Sequence, residues 1–161
     1  MNRKILAALV VCGSVSALSL ASSARATPAT PPPPAPVAGT SVIGVLDGPS
    51  KAKNDGIELK VKQDTAVRVF TLTYPVGATS GWHSHPGIVV ATVESGTVRR
   101  QIGCKTDTFS VDDSFTEAEP HQVTNVGKTD AVLRITQLYP ASLELGDLRI
   151  DEAAPTCRGG S

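Results

Sequence analysis

From Ile57 onward the chain alternates apolar and polar residues with a period of two. Ile57, Leu59 and Val61 interleave with Glu58, Lys60 and Lys62, the pattern of a strand with one face buried. Four further segments are rich in β-branched residues and read as strands: 66–74 (AVRVFTLTY), 88–93, 97–102 and 131–139 (AVLRITQLY). Turn-forming residues separate them at Asn54-Asp55-Gly56, from Pro75 to Gly81, at Glu94-Ser95-Gly96, at Asp112-Asp113 and from Asn125 to Asp130. No helical period is sustained and no segment repeats. Short strands at near-regular spacing predict an all-β domain, an antiparallel sandwich or barrel, over residues 42–155.

The N-terminal end has a different character. Asn2, Arg3 and Lys4 make a basic start, an apolar run follows from Ile5 to about Leu20, and Ala24-Arg25-Ala26 offers small residues to a signal peptidase. Residues 1–26 therefore read as a signal peptide cleaved after Ala26, which predicts a secreted or periplasmic protein. The run is too short and too interrupted by Ser and Gly for a membrane span, which needs about 20 apolar residues. Cys12 sits inside it behind Val11 rather than behind a small residue, which speaks against lipid attachment. Residues 27–41, opening TPATPPPPAP, form a Pro-rich linker, because proline cannot donate a backbone hydrogen bond and favours an extended chain. Residues 156–161 read as a flexible C-terminal tail.

Cleavage removes Arg3, Lys4 and Arg25 from 15 basic residues, leaving 12 against 15 acidic ones and a net formal charge of −3. With no basic stripe and few aromatics, nucleic acid is not an expected partner. Export places Cys104 and Cys157 in an oxidising compartment. A disulfide between them is expected, tying the C-terminal tail to the domain, with two free thiols as the alternative.

All three histidines fall in two segments, GATSGWHSHPG (77–87) and EPHQVTN (119–125). His83 and His85, two apart on an extended strand, face the same way, so both rings can reach one ion. His121 would have to come from a facing strand. Three neutral imidazoles around an open position suit a divalent transition metal, and zinc, iron, copper, nickel and manganese are all compatible with them. The competing expectation is that the three are hydrogen-bonded structural residues holding no ion.

Gly77, five residues, then His83-Ser84-His85-Pro86-Gly87, and Glu94-Ser95-Gly96 after a hydrophobic strand, resembles the first conserved motif of the cupin superfamily. Pro120-His121 through Asn125 resembles the end of the second. The resemblance spans roughly residues 57–140 and implies a double-stranded β-helix, a jelly-roll barrel whose interior holds a metal on His83, His85 and His121. Two departures stand out. The glutamate that the first motif usually carries four or five residues after its second histidine is replaced by Val89 and Val90, so the expected site has three imidazoles and no carboxylate. Thr116 to Glu119 replaces the usual Pro-x-Gly. Glu117 and Glu119 are expected as solvated turn residues near the pocket mouth, with an acceptor role for an imidazole N–H as the alternative. Trp82 is expected to pack in the core or at the barrel rim, and one of Gln101 and Gln137 to project into the interior.

Two functions compete. One is a metal-dependent oxygenase or isomerase-type enzyme acting on a small organic substrate, although no motif places a general base beside the histidines. The other is a non-catalytic module of the cell envelope that captures a metal or small ligand. The apolar segment 42–46 is a candidate sheet edge through which a homodimer would form.

Overall fold

The computed structural model describes residues 38–157, so the signal peptide, most of the Pro-rich linker and residues 158–161 lie outside the described part. Two five-stranded antiparallel sheets face each other. One has the order β1 (Val42–Leu46), β4 (Thr65–Tyr74), β11 (Ala131–Pro140), β6 (Ile88–Ser95), β9 (Ser114–Glu117). The other runs β12 (Ile150–Asp151), β5 (His83–Ser84), β10 (His121–Asn125), β7 (Thr97–Ile102), β8 (Lys105–Ser110). Strands distant in sequence lie side by side, β4 against β11 and β5 against β10, which is the winding of a double-stranded β-helix. No helix among the described residues is long and apolar enough to cross a membrane.

Alternation explains the core. On β11, Ala131, Leu133, Ile135, Gln137 and Tyr139 are buried in turn. Ala131, Leu133 and Ile135 share a core with Phe70, Ala91, Val93 and Phe115 of the same sheet and Val98 and Val123 of the opposite one. Each fully buried Val or Leu contributes about 1.5–3 kcal/mol of apolar transfer, so one such layer outweighs most surface ion pairs. Asn125 is buried as well, and its amide ties the β10–β11 turn by donating to the carbonyls of Tyr74 and Thr129 at 2.8 and 2.9 Å.

One strand is not half-buried as its pattern suggests. β3 (Ile57–Val61) pairs only with β2 (Ser50–Asn54), in a ribbon closed by Asp55 and Gly56 at positive φ. Ile57 is 76% and Leu59 43% exposed. The turn chemistry forms the hairpin as expected, but among the described residues no sheet packs on it to bury the apolar face. β1 is an edge strand with Val42 and Val45 exposed.

The sequence beyond β11 is built into the barrel. After β11 a single 3₁₀ turn (Leu145–Asp147) leads to Leu148, which is buried against Ala66 and Tyr139. β12 then pairs along the outer edge of β5, Ile150 opposite Ser84 and Asp151 opposite His83. The Glu152 amide donates to the Trp82 carbonyl at 3.0 Å, and Ser84 Oγ donates to Glu152 Oε1 at 2.7 Å. A disulfide joins Cys157 to Cys104 in the β7–β8 turn.

Candidate metal centre

His83 and His121 are direct cross-strand partners between β5 and β10. His85 follows one residue after β5 and shares the face of His83 through the two-residue repeat. Gly87 then lets the chain turn back toward β6. It sits at φ +92°, and a Cβ there would clash with the Leu138 carbonyl oxygen. The three rings converge, with centroids 4.7 Å apart for His83–His85, 4.4 Å for His83–His121 and 5.4 Å for His85–His121. One ring nitrogen of each lies within 4.8 Å of the others.

The hydrogen bonds decide which nitrogens face inward. His83 Nδ1 lies 3.0 Å from the Gly81 carbonyl, His85 Nδ1 2.7 Å from that of Leu148, and His121 Nδ1 2.6 Å from that of Glu119. A carbonyl oxygen only accepts, so each Nδ1 carries a proton, and in the neutral ring the Nε2 lone pair is left facing the cluster. Three imidazoles locked this way match the donor set of a divalent transition ion.

Contrary to the sequence expectation of a carboxylate-free site, Glu117 joins the cluster. It is 6% exposed, with Oε1 3.3 Å from His121 Nε2 and Oε2 3.8 Å from His85 Nε2. The reason lies in the register: β9 pairs with β6 so that Glu117 stands directly across from Val89. The acid missing from β6 is thus supplied one strand away. Glu119 contributes its main chain instead. His121 Nε2 is buried and has no hydrogen-bond partner. A bare lone pair facing a carboxylate oxygen is repulsive, and a cation between the two, whether a proton or a metal, relieves it. The residues therefore fit a metal ion.

Electrostatics separates the rings. Burial, reinforced by His121, pushes the His83 pKa down to about 2, and burial also lowers that of His85. Burial acts in the same direction on His121, but Glu117 outweighs it and the net shift is upward. In the metal-free protein His83 stays neutral below pH 6.5 while the unfolded chain takes up protons there, so stability falls as the pH falls, and the downward shift of His85 acts in the same direction. The contribution of His121 has the opposite sign. It is complete below 6.5 and is lost only as the pH rises above that value. Between pH 6.5 and 5 the metal-free protein is expected to lose stability at about 1 kcal/mol per pH unit for His83 alone. Thermal melts of wild type and His83→Gln check this, and an unchanged slope in the variant refutes it.

The centre opens into a cavity of about 480 Å³ lined by Phe70, Leu72, Tyr74, Ile135 and Leu148, with Arg68, Gln137 and Arg149 among its polar groups. Of the two strand glutamines, Gln137 is the inward one. Gln101 instead donates to the Gly103 carbonyl and accepts from Gln122. Trp82 is buried, 4% exposed. Arg68 could have been found in the sequence, since it falls on the Phe70, Leu72, Tyr74 side of the alternation. Glu117 entered the sequence reading only as the alternative to a solvated turn residue, and the Leu148 carbonyl carried no local signal.

Fold and site together define a cupin barrel with a three-histidine centre. Residues 70–137 match the Cupin_2 family, cupin domain, and the chain carries a cupin domain spanning β4 to β11. Among solved structures, it is similar to an oxalate oxidase in complex with the substrate analogue glycolate. That likeness has 20% identity and a TM-score of 0.41, and covers 46% of this chain and 42% of that one. A Cupin 2 conserved barrel domain protein from Salinispora arenicola CNS-205 is similar at 17% identity and a TM-score of 0.43, over 47% of this chain and 65% of that one. A predicted oxalate decarboxylase from Thermotoga maritima is similar at 17% identity and a TM-score of 0.41, over 49% and 83%. The chain thus spans less than half the length of the oxalate oxidase. These likenesses concern the fold alone. No curated protein matches this chain.

Proposed function

We propose that this is an exported, metal-dependent cupin enzyme of the oxygenase or isomerase type, with His83, His85, His121 and Glu117 around a divalent transition metal and a small organic substrate in the adjoining cavity. The observation that carries the reading is the convergence of three imidazoles whose Nδ1 atoms are all committed to main-chain carbonyls. Export is supported by the leader-like residues 1–26 and by the Cys104–Cys157 disulfide, which persists in an oxidising compartment. A mature N-terminus at Thr27 is the expected product.

Bound there, a metal would supply Lewis acidity at an open position. The protein supplies the rest. The Gly81, Leu148 and Glu119 carbonyls hold the rings in orientation. The Glu117 carboxylate can take or hold a proton beside the reacting group, the base that the sequence motifs lacked. Burial, then the Glu117 charge, raises the Tyr74 pKa, so its phenol stays protonated and acts as a donor in the cavity wall. The Glu117 base favours an enzyme over a passive binding module.

Mature protein prepared without chelator is expected to carry one metal per chain. Glu117→Gln is expected to lower metal affinity by about 10- to 100-fold, the range seen when a group bonded to a ligating histidine is lost, and by more if the oxygen is itself a ligand. Cobalt(II) titration followed by visible absorption measures both, and wild-type affinity in the variant removes Glu117 from the centre. Oxygen uptake or product formation over phenolic, thiol and keto-acid compounds tests turnover. Tight ligand binding with no turnover in any of them would select the binding module.

A further inference from the structure

Across the inner face of the first sheet the side chains stand in rows set by the register. Phe70, Ile135, Ala91 and Phe115 form one apolar row over β4, β11, β6 and β9. The next row toward the opposite end reads Arg68, Gln137, Val89, Glu117. A cation and an anion thus sit at its two ends, separated by three strand spacings, about 14 Å between backbones.

Glu117 is accounted for by the histidines, whereas Arg68 has no such partner. Its guanidinium lies 4.1 Å over the Phe70 ring, its Nε is buried without a hydrogen bond, and it forms no ion pair among the described residues. Arg149, the other cation lining the cavity, is engaged: Nε donates to Asp151 at 3.0 Å and Nη2 to the Ser80 carbonyl at 2.9 Å. Leaving a buried N–H of the guanidinium without a partner is costly, and a guanidinium presents a planar fork that matches a carboxylate. Stacked on Phe70, that fork is already oriented.

We propose that the cavity takes a small organic acid, its carboxylate held by Arg68 and its other end, across an apolar spacer, directed to the metal centre. The apolar part of the cavity wall, Phe70, Leu72, Ile135 and Leu148, suits a hydrocarbon segment of a few carbons. A single unpaired guanidinium suits a monoanionic carboxylate better than a phosphate dianion. The position of the ligand's far end rests on the metal-centre reading, whereas the role of Arg68 does not.

The two parts are tested separately on the mature protein. In the metal-free form, calorimetry compares hexanoate with its neutral isostere hexanamide. Wild type is expected to prefer the acid at least tenfold, Arg68→Gln to lose that preference, and Arg68→Lys to keep part of it. Thermal melts confirm that both variants fold. In the cobalt-loaded form adipate, which can reach Arg68 and the metal together, is expected to bind at least tenfold tighter than hexanoate and to shift the cobalt absorption, with the tenfold gain absent in Arg68→Gln. No acid preference in wild type, or one that survives in Arg68→Gln, overturns the proposal. Cobalt binding without an adipate advantage overturns the bridging pose. Failure of cobalt to bind at all overturns the metal-centre reading and leaves the hexanoate result to decide the role of Arg68.

Discussion

Replacing His121 with alanine is expected to abolish metal binding and to destabilise the metal-free fold as well. The ring is 0% exposed, lies 4.4 Å from that of His83 and stands 3.3 Å from Glu117. Loss of an outer partner of a ligating histidine costs about 10- to 100-fold in metal affinity, so removing the ligand itself should cost more than that. Two penalties add to the apo protein. Deleting a buried ring leaves a cavity, for which about 3–5 kcal/mol is typical of large aromatic truncations. The Glu117 carboxylate is also left with its nearest partner gone in a buried place, an arrangement that costs several kcal/mol unless water enters. His85→Ala should behave differently, because its ring is less buried and its Nδ1 partner, the Leu148 carbonyl, also lies 3.5 Å from Gln137 Nε2. Metal should be lost there with a smaller drop in stability. Elemental analysis, cobalt titration and urea unfolding of the two variants measure these effects. Wild-type metal content in His121→Ala would mean that the three rings do not share an ion.

Removing the disulfide in a Cys104→Ser/Cys157→Ser variant is expected to lower stability, and the effect should reach the metal centre. The bridge spans 53 residues of chain, for which loop-closure entropy gives about 4 kcal/mol. What it anchors matters as much as its size. The segment between Leu148 and Cys157 carries the carbonyl that orients His85, the strand β12 that edges β5, and Glu152, which bonds Trp82 and Ser84. Without the bridge only the burial of Leu148 and a few hydrogen bonds hold this strap, so metal affinity should fall by about tenfold or more, as for other losses of ring orientation. Urea unfolding and cobalt titration of the double variant beside wild type test both expectations. A variant that is destabilised yet binds cobalt with unaltered affinity would show that the strap stays in place unaided.

The corrections to the sequence expectations share one physical origin. β3 has a clean alternation, but a pattern states only which face is apolar, and the ribbon with β2 leaves that face uncovered. Glu117 reads first as a solvated turn residue before Pro120, with contact to an imidazole as the alternative. It becomes a buried neighbour of two histidines because β9 docks on β6 in the register that opposes it to Val89. Gln101 and Gln137 look alike in their strands. Facing separates them, Gln137 lying between Arg68 and Val89 on the inner row and Gln101 bonding on the outside.

The amino-acid sequence by itself determined the β class, most strand positions, the turns, the two cysteines that pair and the three histidines that gather, because each of these is written in local chemistry: a period of two, turn-forming residues, and side chains of rare type at short spacing. Tertiary structure alone decided the carboxylate beside the imidazoles, the main-chain oxygens that fix their tautomers, the strap that closes over His85, and the uncompensated Arg68 at the far end of the cavity. Those are relations between residues far apart along the chain, 63 positions in the case of His85 and the Leu148 carbonyl. They are set by which strands pair and in what register, and no neighbouring residue along the chain records that.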